Sequence, residues 1–277
     1  MSFALEELSE KYPPEEIKAM LFWLFDEFLG VGRAQYLLNP NKRMSESEML
    51  KFNFAIKDLK KGKPLQYILG YTYFMDLKLN VNEHTLIPRP ETEEMVQLII
   101  AKEKNKKQIL KIIDIGTGTA CIPLALAQAM PQHHYFGMDY KKEIIELADK
   151  NCKTNQHSIQ LYQLDILNDS TEHLPIFDII ISNPPYVLES EKEQMHENVL
   201  HYEPASALYV SDTSPLLFYE QIILFAHSHL KLHGRLFFEI NENYGPQVCQ
   251  TLLKHHFKKT DLLMDFRGRN RFVFCEK

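Results

Sequence analysis

Residues 183–186, Asn-Pro-Pro-Tyr, are the stretch of this sequence best suited to chemistry, and they directly follow the apolar run at 177–182. Each proline restricts the residue before it, so Asn183 and Pro184 are both held extended. The Asn183 side-chain oxygen and the Pro184 carbonyl can then accept the two hydrogens of a planar –NH2 group. Tyr186 can pack on the flat face of that group. Alone, the four residues are also typical of a rigid turn.

A second candidate site is the loop DIGTGTA, residues 114–120, which lies between an apolar strand and a helix. Gly116 and Gly118 let the backbone turn tightly and approach a ligand closely. The dinucleotide pattern GxGxxG fails because its third position is Cys121. Asp139 ends the next strand, 23 residues after Gly116, where an acid can hold both hydroxyls of a ribose. The alternative is a strand-end acid that caps the following helix.

The elements around these loops alternate between strand and helix from about residue 91 onward, which predicts a doubly wound, mostly parallel sheet. Both candidate loops then follow carboxyl ends of strands, where such sheets bind ligands. Before this part, apolar residues recur at helical spacing, with Gly30 as a helix end and Ser45 or Ser47 as an N-cap. Alternating residues after position 70 indicate a β-hairpin.

The predicted fold is therefore α/β, a Rossmann-like sheet preceded by a small helical bundle and a connecting hairpin. The predicted limits are residues 1–70 for the helical domain, 71–90 for the hairpin linker and 91–277 for the sheet domain.

Motifs spread over nearly the whole chain carry a family resemblance. The sequence resembles the HemK-like release-factor glutamine methyltransferases, which are class I S-adenosylmethionine-dependent enzymes. The motifs that carry the resemblance are PLQYILG at 64–70, LIPRPETE at 86–93, DIGTGTA, NPPYV, YEPASAL at 202–208, FFEI at 237–240 and DFRGRNRFV at 265–273.

The resemblance implies S-adenosylmethionine as cofactor, S-adenosylhomocysteine as product, and no metal. It implies that Asp114 faces the methionine part of the cofactor and that Asp139 holds the ribose. Asp165 and Ile166 would edge the adenine, and the loop would pass beneath the cofactor through Gly116, Thr117, Gly118, Thr119 and Ala120. The family's third glycine is Ala120 here. Its methyl group is tolerated if its backbone is helical, whereas a positive φ at this position would put the loop assignment in doubt.

The implied substrate is the glutamine side-chain amide in the Gly-Gly-Gln loop of bacterial class I peptide chain release factors. The amide would be held by Asn183, Pro184, Pro185 and Tyr186, and the helical domain would help to hold the release factor. Arg89 and Glu91 could line the substrate entrance, or Arg89 could pair with the acidic start of its helix. Two departures from the family pattern are Asn241 in place of glycine and Tyr244 in place of glutamine.

Composition narrows the function classes. The net charge is −6, whereas proteins that bind duplex phosphates usually carry a basic face, so we expect no direct nucleic-acid partner. The four cysteines form no CxxC pair, which fits a reducing cytoplasm. The acidic start does not resemble a signal peptide, and no run approaches the roughly 20 apolar residues of a membrane helix. We expect a cytoplasmic monomer.

Three alternatives compete with the glutamine methyltransferase. A nucleic-acid methyltransferase acting on exocyclic amino groups would share NPPY but should need a basic cleft. A non-catalytic module that binds release factors or ribosomes would need neither Asp139 nor NPPY. An NAD-linked oxidoreductase is disfavoured by the broken fingerprint at Cys121.

Overall fold

The structure, a computed structural model, describes residues 2–38 and 43–277. The chain divides into two compact units. The first consists of Met1–Tyr71 together with His196–Tyr202, and the second of Thr72–Met195 and Glu203–Lys277. The segment at 196–202 was not expected to join the helical unit, and the predicted domain limits stay a prediction. Within the described ranges, no helix is long and apolar enough to cross a membrane.

The helices begin and end near the positions that their sequence signals indicate. In the described residues they are α1 Ser2–Leu8, α2 Pro14–Leu29, α3 Arg33–Leu38, α4 Glu46–Lys60, α5 Leu65–Leu69, α6 Pro90–Glu103, α7 Cys121–Ala129, α8 Lys142–Thr154, α9 Glu197–Tyr202, α10 Ala205–Leu208, α11 Leu217–His229 and α12 Gly245–Lys254, with a 3-10 helix at Glu189–Gln194.

The strands are β1 Tyr71–Phe74, β2 Leu77–Asn80, β3 Lys111–Ile115, β4 His134–Asp139, β5 Ile159–Gln163, β6 Phe177–Ser182, β7 Val187–Leu188, β8 Tyr209–Val210, β9 Leu230–Glu239, β10 Lys258–Met264 and β11 Asn270–Glu276. Seven of them form one sheet in the order β10-β11-β9-β6-β3-β4-β5. Strands β5, β4, β3, β6 and β9 run parallel, whereas β11 is antiparallel to both neighbours. The predicted α/β class with a mostly parallel sheet is confirmed.

Caps define the two longer helices of the first unit. Gly30 ends α2 in the left-handed conformation, with φ 59°, as predicted. Ser45 begins α4 by accepting a hydrogen bond from the Glu48 N–H, while the Glu48 carboxylate accepts from the Ser45 N–H. Each residue thus satisfies a backbone donor at the helix start. The apolar faces of these helices pack together around Ile17, Leu24 and Leu59.

Apolar side chains cover both faces of the central strands. Ile113 and Ile180 are register partners and pack on one face of the sheet. Ile112, Ile179 and Ile181 pack on the other face. Because every residue of β6 is buried, a shift of one position would exchange the two faces completely. The carboxyl ends of β3 and β6 are thereby fixed next to each other, where the strand order reverses.

The predicted hairpin forms from β1 and β2. Its two turn residues, Met75 and Asp76, both have positive φ, at 46° and 68°, which suits the twist of a tight hairpin. A carboxylate oxygen of Glu93 in α6 accepts a hydrogen bond from the Met75 N–H at 2.8 Å. The hairpin turn is therefore attached to the helix that follows it.

Ala120 does not have the helical backbone under which the sequence tolerated a methyl group at this position. It precedes α7 with φ 62° and ψ 26°, and its N–H donates to the Thr117 carbonyl at 2.8 Å. Left-handed backbone costs a residue with a Cβ roughly 1–2 kcal/mol. The structure therefore shows the positive φ that would put the loop assignment in doubt, and that assignment stays a prediction. The loop completes its turn at Ala120, and α7 begins one residue later.

Glycine at position 120 should therefore cost little stability even though the Ala120 methyl group is fully buried. We expect Ala120→Gly to lower the free energy of unfolding by less than about 0.5 kcal/mol, because relief of backbone strain offsets the lost methyl group. Ala125→Gly, at a buried helical position of α7, should cost about 1–2 kcal/mol. Urea unfolding measures both, and equal losses would contradict the assigned strain.

Candidate active site

A cavity of about 330 Å³ opens at the carboxyl ends of the parallel strands in the second unit. Its volume is in the range of small-molecule sites. Most residues predicted from the sequence line it, namely Arg89, Gly116, Thr117, Gly118, Thr119, Asp139, Asp165, Ile166, Asn183, Pro184 and Pro185. The structure thus brings the glycine loop and the Asn-Pro-Pro segment to one cavity.

Four predicted residues are not among those that line the cavity. Asp114 and Ala120 are buried, with exposed fractions of 2% and 0%. Glu91 lies 3.9 Å from the Arg267 side chain. The Tyr186 hydroxyl donates to Glu239 at 3.0 Å. Packing of the Tyr186 ring on a substrate stays a prediction.

Asp139 holds the glycine loop in place. Its carboxylate accepts hydrogen bonds from the Gly118 N–H at 3.0 Å and from the Tyr140 N–H at 2.9 Å. Burial raises the pKa of this carboxyl group to about 6, and the two backbone donors oppose the rise. Each carboxylate oxygen keeps a further lone pair for a ligand hydroxyl. Asp139 therefore both shapes the loop and can bind a ribose.

Asp114 is a buried carboxyl group with no hydrogen-bond partner among the described residues. Burial raises its pKa to about 7, and the charge of Asp139 adds to this rise. The Thr117 hydroxyl opposes the rise without reaching hydrogen-bonding geometry. A buried unpaired carboxyl group is costly in a folded protein.

The Asn-Pro-Pro segment begins where β6 is fixed to β3. The Ser182 hydroxyl donates to the Ile115 carbonyl at 2.7 Å. The next side chain, Asn183, points its amide nitrogen at the Thr92 hydroxyl oxygen at 3.2 Å. In the part of the chain that the structure describes, no group donates to the Asn183 Oδ1 or to the Pro184 carbonyl. These two oxygens remain available as acceptors at the cavity.

Glu239, at the end of β9, was not predicted as a site residue although its motif, FFEI, was recognised. It is 1% exposed and accepts hydrogen bonds from the Thr92 and Tyr186 hydroxyls, at 2.7 and 3.0 Å. Burial raises the pKa of this carboxyl group, while the two hydroxyl donors and the Arg271 charge oppose that rise. Glu239 therefore connects Asn183, through Thr92, to Tyr186.

Arg89 does not pair with the acidic start of α6, one of the two alternatives left open by the sequence. Its guanidinium donates to a carboxylate oxygen of Glu203 at 2.6 Å, and Arg89 lines the cavity. The other Glu203 oxygen accepts from the Ile87 N–H at 3.2 Å. Glu203, from the motif YEPASAL, was also missed, and it fixes the segment that leads into α6.

Asn241, which stands where the family pattern has glycine, makes hydrogen bonds with its side chain. Its side-chain amide donates to the Tyr186 carbonyl and to the Glu191 carboxylate, both at 3.1 Å. Its Oδ1 accepts from the Asn243 N–H at 3.0 Å. A glycine could make none of these side-chain contacts. In this chain the substitution therefore attaches the exit of β9 to the end of the NPPY segment.

Strand order and loops together define the class. Two solved methyltransferases share the fold: the human Mettl16 catalytic domain (TM-score 0.56, 16% identity, covering 86% of this chain and 85% of that chain) and the Thermus thermophilus 16S rRNA N2 G1207 methyltransferase (TM-score 0.52, 15% identity, covering 75% and 49%). The fold, with a glycine loop after β3 and NPPY after β6, is that of a class I methyltransferase.

Sequence comparison gives the family. Residues 94–208 match the methyltransferase small domain and residues 2–70 match the PrmC N-terminal domain. A release factor glutamine methyltransferase of Flavobacterium psychrophilum is 39% identical over 272 residues, 97% of this chain and 95% of that protein. One of Bacteroides thetaiotaomicron is 33% identical over 100% of this chain and 98% of that protein. The chain belongs to the release factor glutamine methyltransferase family.

Replacement of Asp114 by Asn tests whether the pKa of the buried carboxyl group is raised in the protein without ligand. Because its folded-state pKa of about 7 lies above the ordinary 3.8, its protonated form stabilises the fold below pH 3.8, and this contribution is lost as the pH rises through 7. Wild type loses this stability between pH 5 and pH 8, whereas the variant has no carboxyl group to titrate. The free energy of unfolding of Asp114→Asn minus that of wild type should therefore be about 2 kcal/mol larger at pH 8 than at pH 5.

Urea unfolding at the two pH values measures this gain. Asp261→Asn, at an exposed position of β10, controls for the loss of one acidic side chain. The same pH dependence in both variants would contradict a raised pKa at Asp114.

Proposed function

We propose that the protein transfers the methyl group of S-adenosylmethionine to the side-chain amide nitrogen of the glutamine in the Gly-Gly-Gln motif of class I peptide chain release factors. The observation that carries the proposal is the pair of unoccupied acceptors, Asn183 Oδ1 and the Pro184 carbonyl, beside the glycine-loop cavity. Family membership supports the choice of substrate, since the relatives are named release factor glutamine methyltransferases.

The residues present fit the cofactor that the family implies. The unpartnered Asp114 carboxyl group suits the ammonium of the methionine part, and Asp139 suits the two ribose hydroxyls. Asp165 and Ile166 line the same cavity and would edge the adenine. The 16S rRNA methyltransferase that shares the fold was solved in complex with AdoMet and guanosine. When bound, the cofactor supplies a methyl group on a positively charged sulfur.

Asn183 and Pro184 would overcome the low reactivity of the substrate nitrogen. An amide nitrogen is a poor nucleophile because its lone pair is delocalised into the neighbouring carbonyl. The two acceptors hold its two hydrogens, which favours pyramidal nitrogen and aims the lone pair at the methyl carbon. The amide nitrogen would take the methyl group while the sulfur keeps the electron pair of the broken S–C bond, which gives S-adenosylhomocysteine, and the nitrogen would release one proton to water. Positioning and electrostatic stabilisation supply the rate enhancement.

The setting that we propose is the cytoplasm, with the protein acting as a monomer. All four cysteines are free thiols, which favours a reducing compartment. Class I release factors are the proposed protein partners, and no metal takes part in the proposed step.

The substrate is tested by incubating the protein with methyl-labelled S-adenosylmethionine and a class I release factor, and separately with RNA and DNA. Mass spectrometry should find one methyl group on the Gly-Gly-Gln glutamine. Label in nucleic acid alone would favour the amino-group methyltransferase of nucleic acids. Cofactor binding without transfer to any substrate would favour a binding module.

Removal of the Asn183 side chain should affect the chemical step. We expect Asn183→Ala to lower kcat by about 10²–10³-fold, the effect of losing one transition-state hydrogen-bond partner, with little change in cofactor Kd. Asn243→Ala, an exposed position beyond β9, is the matched control and should keep wild-type kcat. Loss of cofactor and substrate binding together in Asn183→Ala would refute this division of roles.

Removal of Asp139 should instead weaken cofactor binding. Two hydrogen bonds to an ionised group are lost, so Asp139→Ala should raise the cofactor Kd by about 10²-fold. Calorimetric titration measures Kd, and thermal unfolding confirms that the variant is folded. Asp149→Ala, at a half-exposed position of α8, serves as the control. An unaltered Kd in Asp139→Ala would remove this residue from the cofactor site.

A further inference from the structure

We infer that Thr92 and Glu239 are positioning residues that fix the orientation of the Asn183 side-chain amide, so that its oxygen and not its nitrogen faces the substrate. This inference rests on the proposed function, because it concerns the acceptor that Asn183 offers to the substrate nitrogen. It assigns a role to two buried side chains that contact the NPPY segment, Thr92 at Asn183 and Glu239 at Tyr186.

The orientation matters because the two ends of an asparagine amide have nearly the same shape and opposite hydrogen-bonding character. The oxygen end accepts a hydrogen from a substrate –NH2 group. The nitrogen end would present two further hydrogens to the substrate –NH2 group, and the lone pair of the substrate nitrogen would not be directed at the methyl carbon. The two prolines restrain the backbone of Asn183, but they do not determine how its terminal amide is turned.

Glu239 sets the direction of every hydrogen bond in the chain of contacts. Both Glu239 oxygens accept from hydroxyl groups, and these two donors together with the Arg271 charge favour the ionised form, which burial opposes. We take Glu239 as an ionised carboxylate, which only accepts. Oε1 of Glu239 accepts from the Tyr186 hydroxyl, and burial raises the pKa of that hydroxyl well above its ordinary value, so it keeps its proton. Oε2 accepts from the Thr92 hydroxyl at 2.7 Å. A threonine hydroxyl has one hydrogen, and here that hydrogen is used on Glu239.

Thr92 can therefore meet Asn183 only as an acceptor. The Asn183 group 3.2 Å from the Thr92 oxygen must be the donor, which is the amide nitrogen. The reversed amide would place two acceptor oxygens against each other. Thr92 is 3% exposed and Glu239 is 1% exposed, so little solvent is at hand to relieve that contact, and an unsatisfied buried acceptor is costly. The Asn183 oxygen is consequently left on the side of the cavity.

The fold supplies this arrangement from three separate elements. Thr92 lies in the first turn of α6, Glu239 is the last residue of β9, and Asn183 follows β6. Strands β6 and β9 are paired up to Ser182 and Phe238, one residue before Asn183 and Glu239 respectively. The two side chains thus emerge at the same level of the sheet, and Thr92 lies between them.

The first test compares two substitutions at Thr92. Thr92→Val keeps the side-chain shape but removes the hydroxyl, so the amide of Asn183 can turn either way. We expect kcat to fall by about 10–100-fold with cofactor Kd within twofold of wild type. Thr92→Ser restores the hydroxyl and should recover most of that loss. Thr260→Val, at a buried hydroxyl without a partner on β10, is the matched control and should keep wild-type kcat.

The second test reverses the direction of the hydrogen bonds by changing Glu239, the residue that accepts the first of them. Glu239→Gln keeps size and packing, but its –NH2 group can donate to Thr92. The Thr92 hydrogen is then free to donate to Asn183, which favours the reversed amide. We expect a loss in kcat at least as large as in Thr92→Val, again with unchanged cofactor Kd. Because Thr92 and Glu239 act through the same series of hydrogen bonds, the double variant should lose little more kcat than the worse of the two single variants.

A spectroscopic readout follows the amide without turnover. In protein labelled with [15N]asparagine, the Asn183 side-chain signals are those that disappear in Asn183→Ala. Thr92→Val and Glu239→Gln should both shift these signals in the free protein, and Thr92→Ser should leave them close to their wild-type positions. Thermal unfolding establishes that each variant is folded.

The outcomes separate this inference from the proposed function. Wild-type kcat in Thr92→Val or Glu239→Gln, or unmoved Asn183 signals, would overturn the orienting role while leaving the glutamine substrate intact. A failure of Thr92→Ser to recover activity would also overturn it. Unchanged kcat in Asn183→Ala, or methyl transfer only to nucleic acid, would refute the proposed function instead.

Discussion

Burial of both faces of β3 and β6 is the constraint on which the site depends. The strands pair in parallel through Ile113 and Ile180, and the core on either side prevents either strand from slipping. The hydrogen bond from Ser182 to the Ile115 carbonyl joins their ends. Residues that directly follow rigid strands are held in well-defined positions. The glycine loop and the Asn-Pro-Pro segment therefore face one cavity without needing direct contact.

Two buried carboxyl groups near that cavity differ in how completely the protein satisfies them. Both oxygens of Glu239 accept hydroxyl hydrogen bonds, so its role can be complete in the free protein. Asp114 has no partner in the described ranges, and its raised pKa reflects the cost of burial. The first arrangement suits a group that holds other side chains in place. The second leaves a buried carboxyl group that costs the free protein stability.

Local patterns account for what could be predicted from the sequence. The buried strand before Asn183, the left-handed Gly30 and the Ser45 cap each follow from residues close in the chain. The partnership of Thr92 with Glu239 joins residues 147 apart, and only the folded sheet defines it. The sequence left the backbone of Ala120 open for a related reason, since the motif does not say whether the turn ends before or at this residue, and only the structure gives its positive φ.

The helical unit is not one continuous segment, because α9 belongs to it together with the first 71 residues. Lys11 pairs with Glu197 at 3.2 Å, and the Tyr202 hydroxyl donates to the Lys61 carbonyl at 3.3 Å. An engineer who exchanged amino-terminal segments between relatives would therefore cut across a single folding module. A working chimera would have to carry the short internal helix from the same parent, as a two-piece graft.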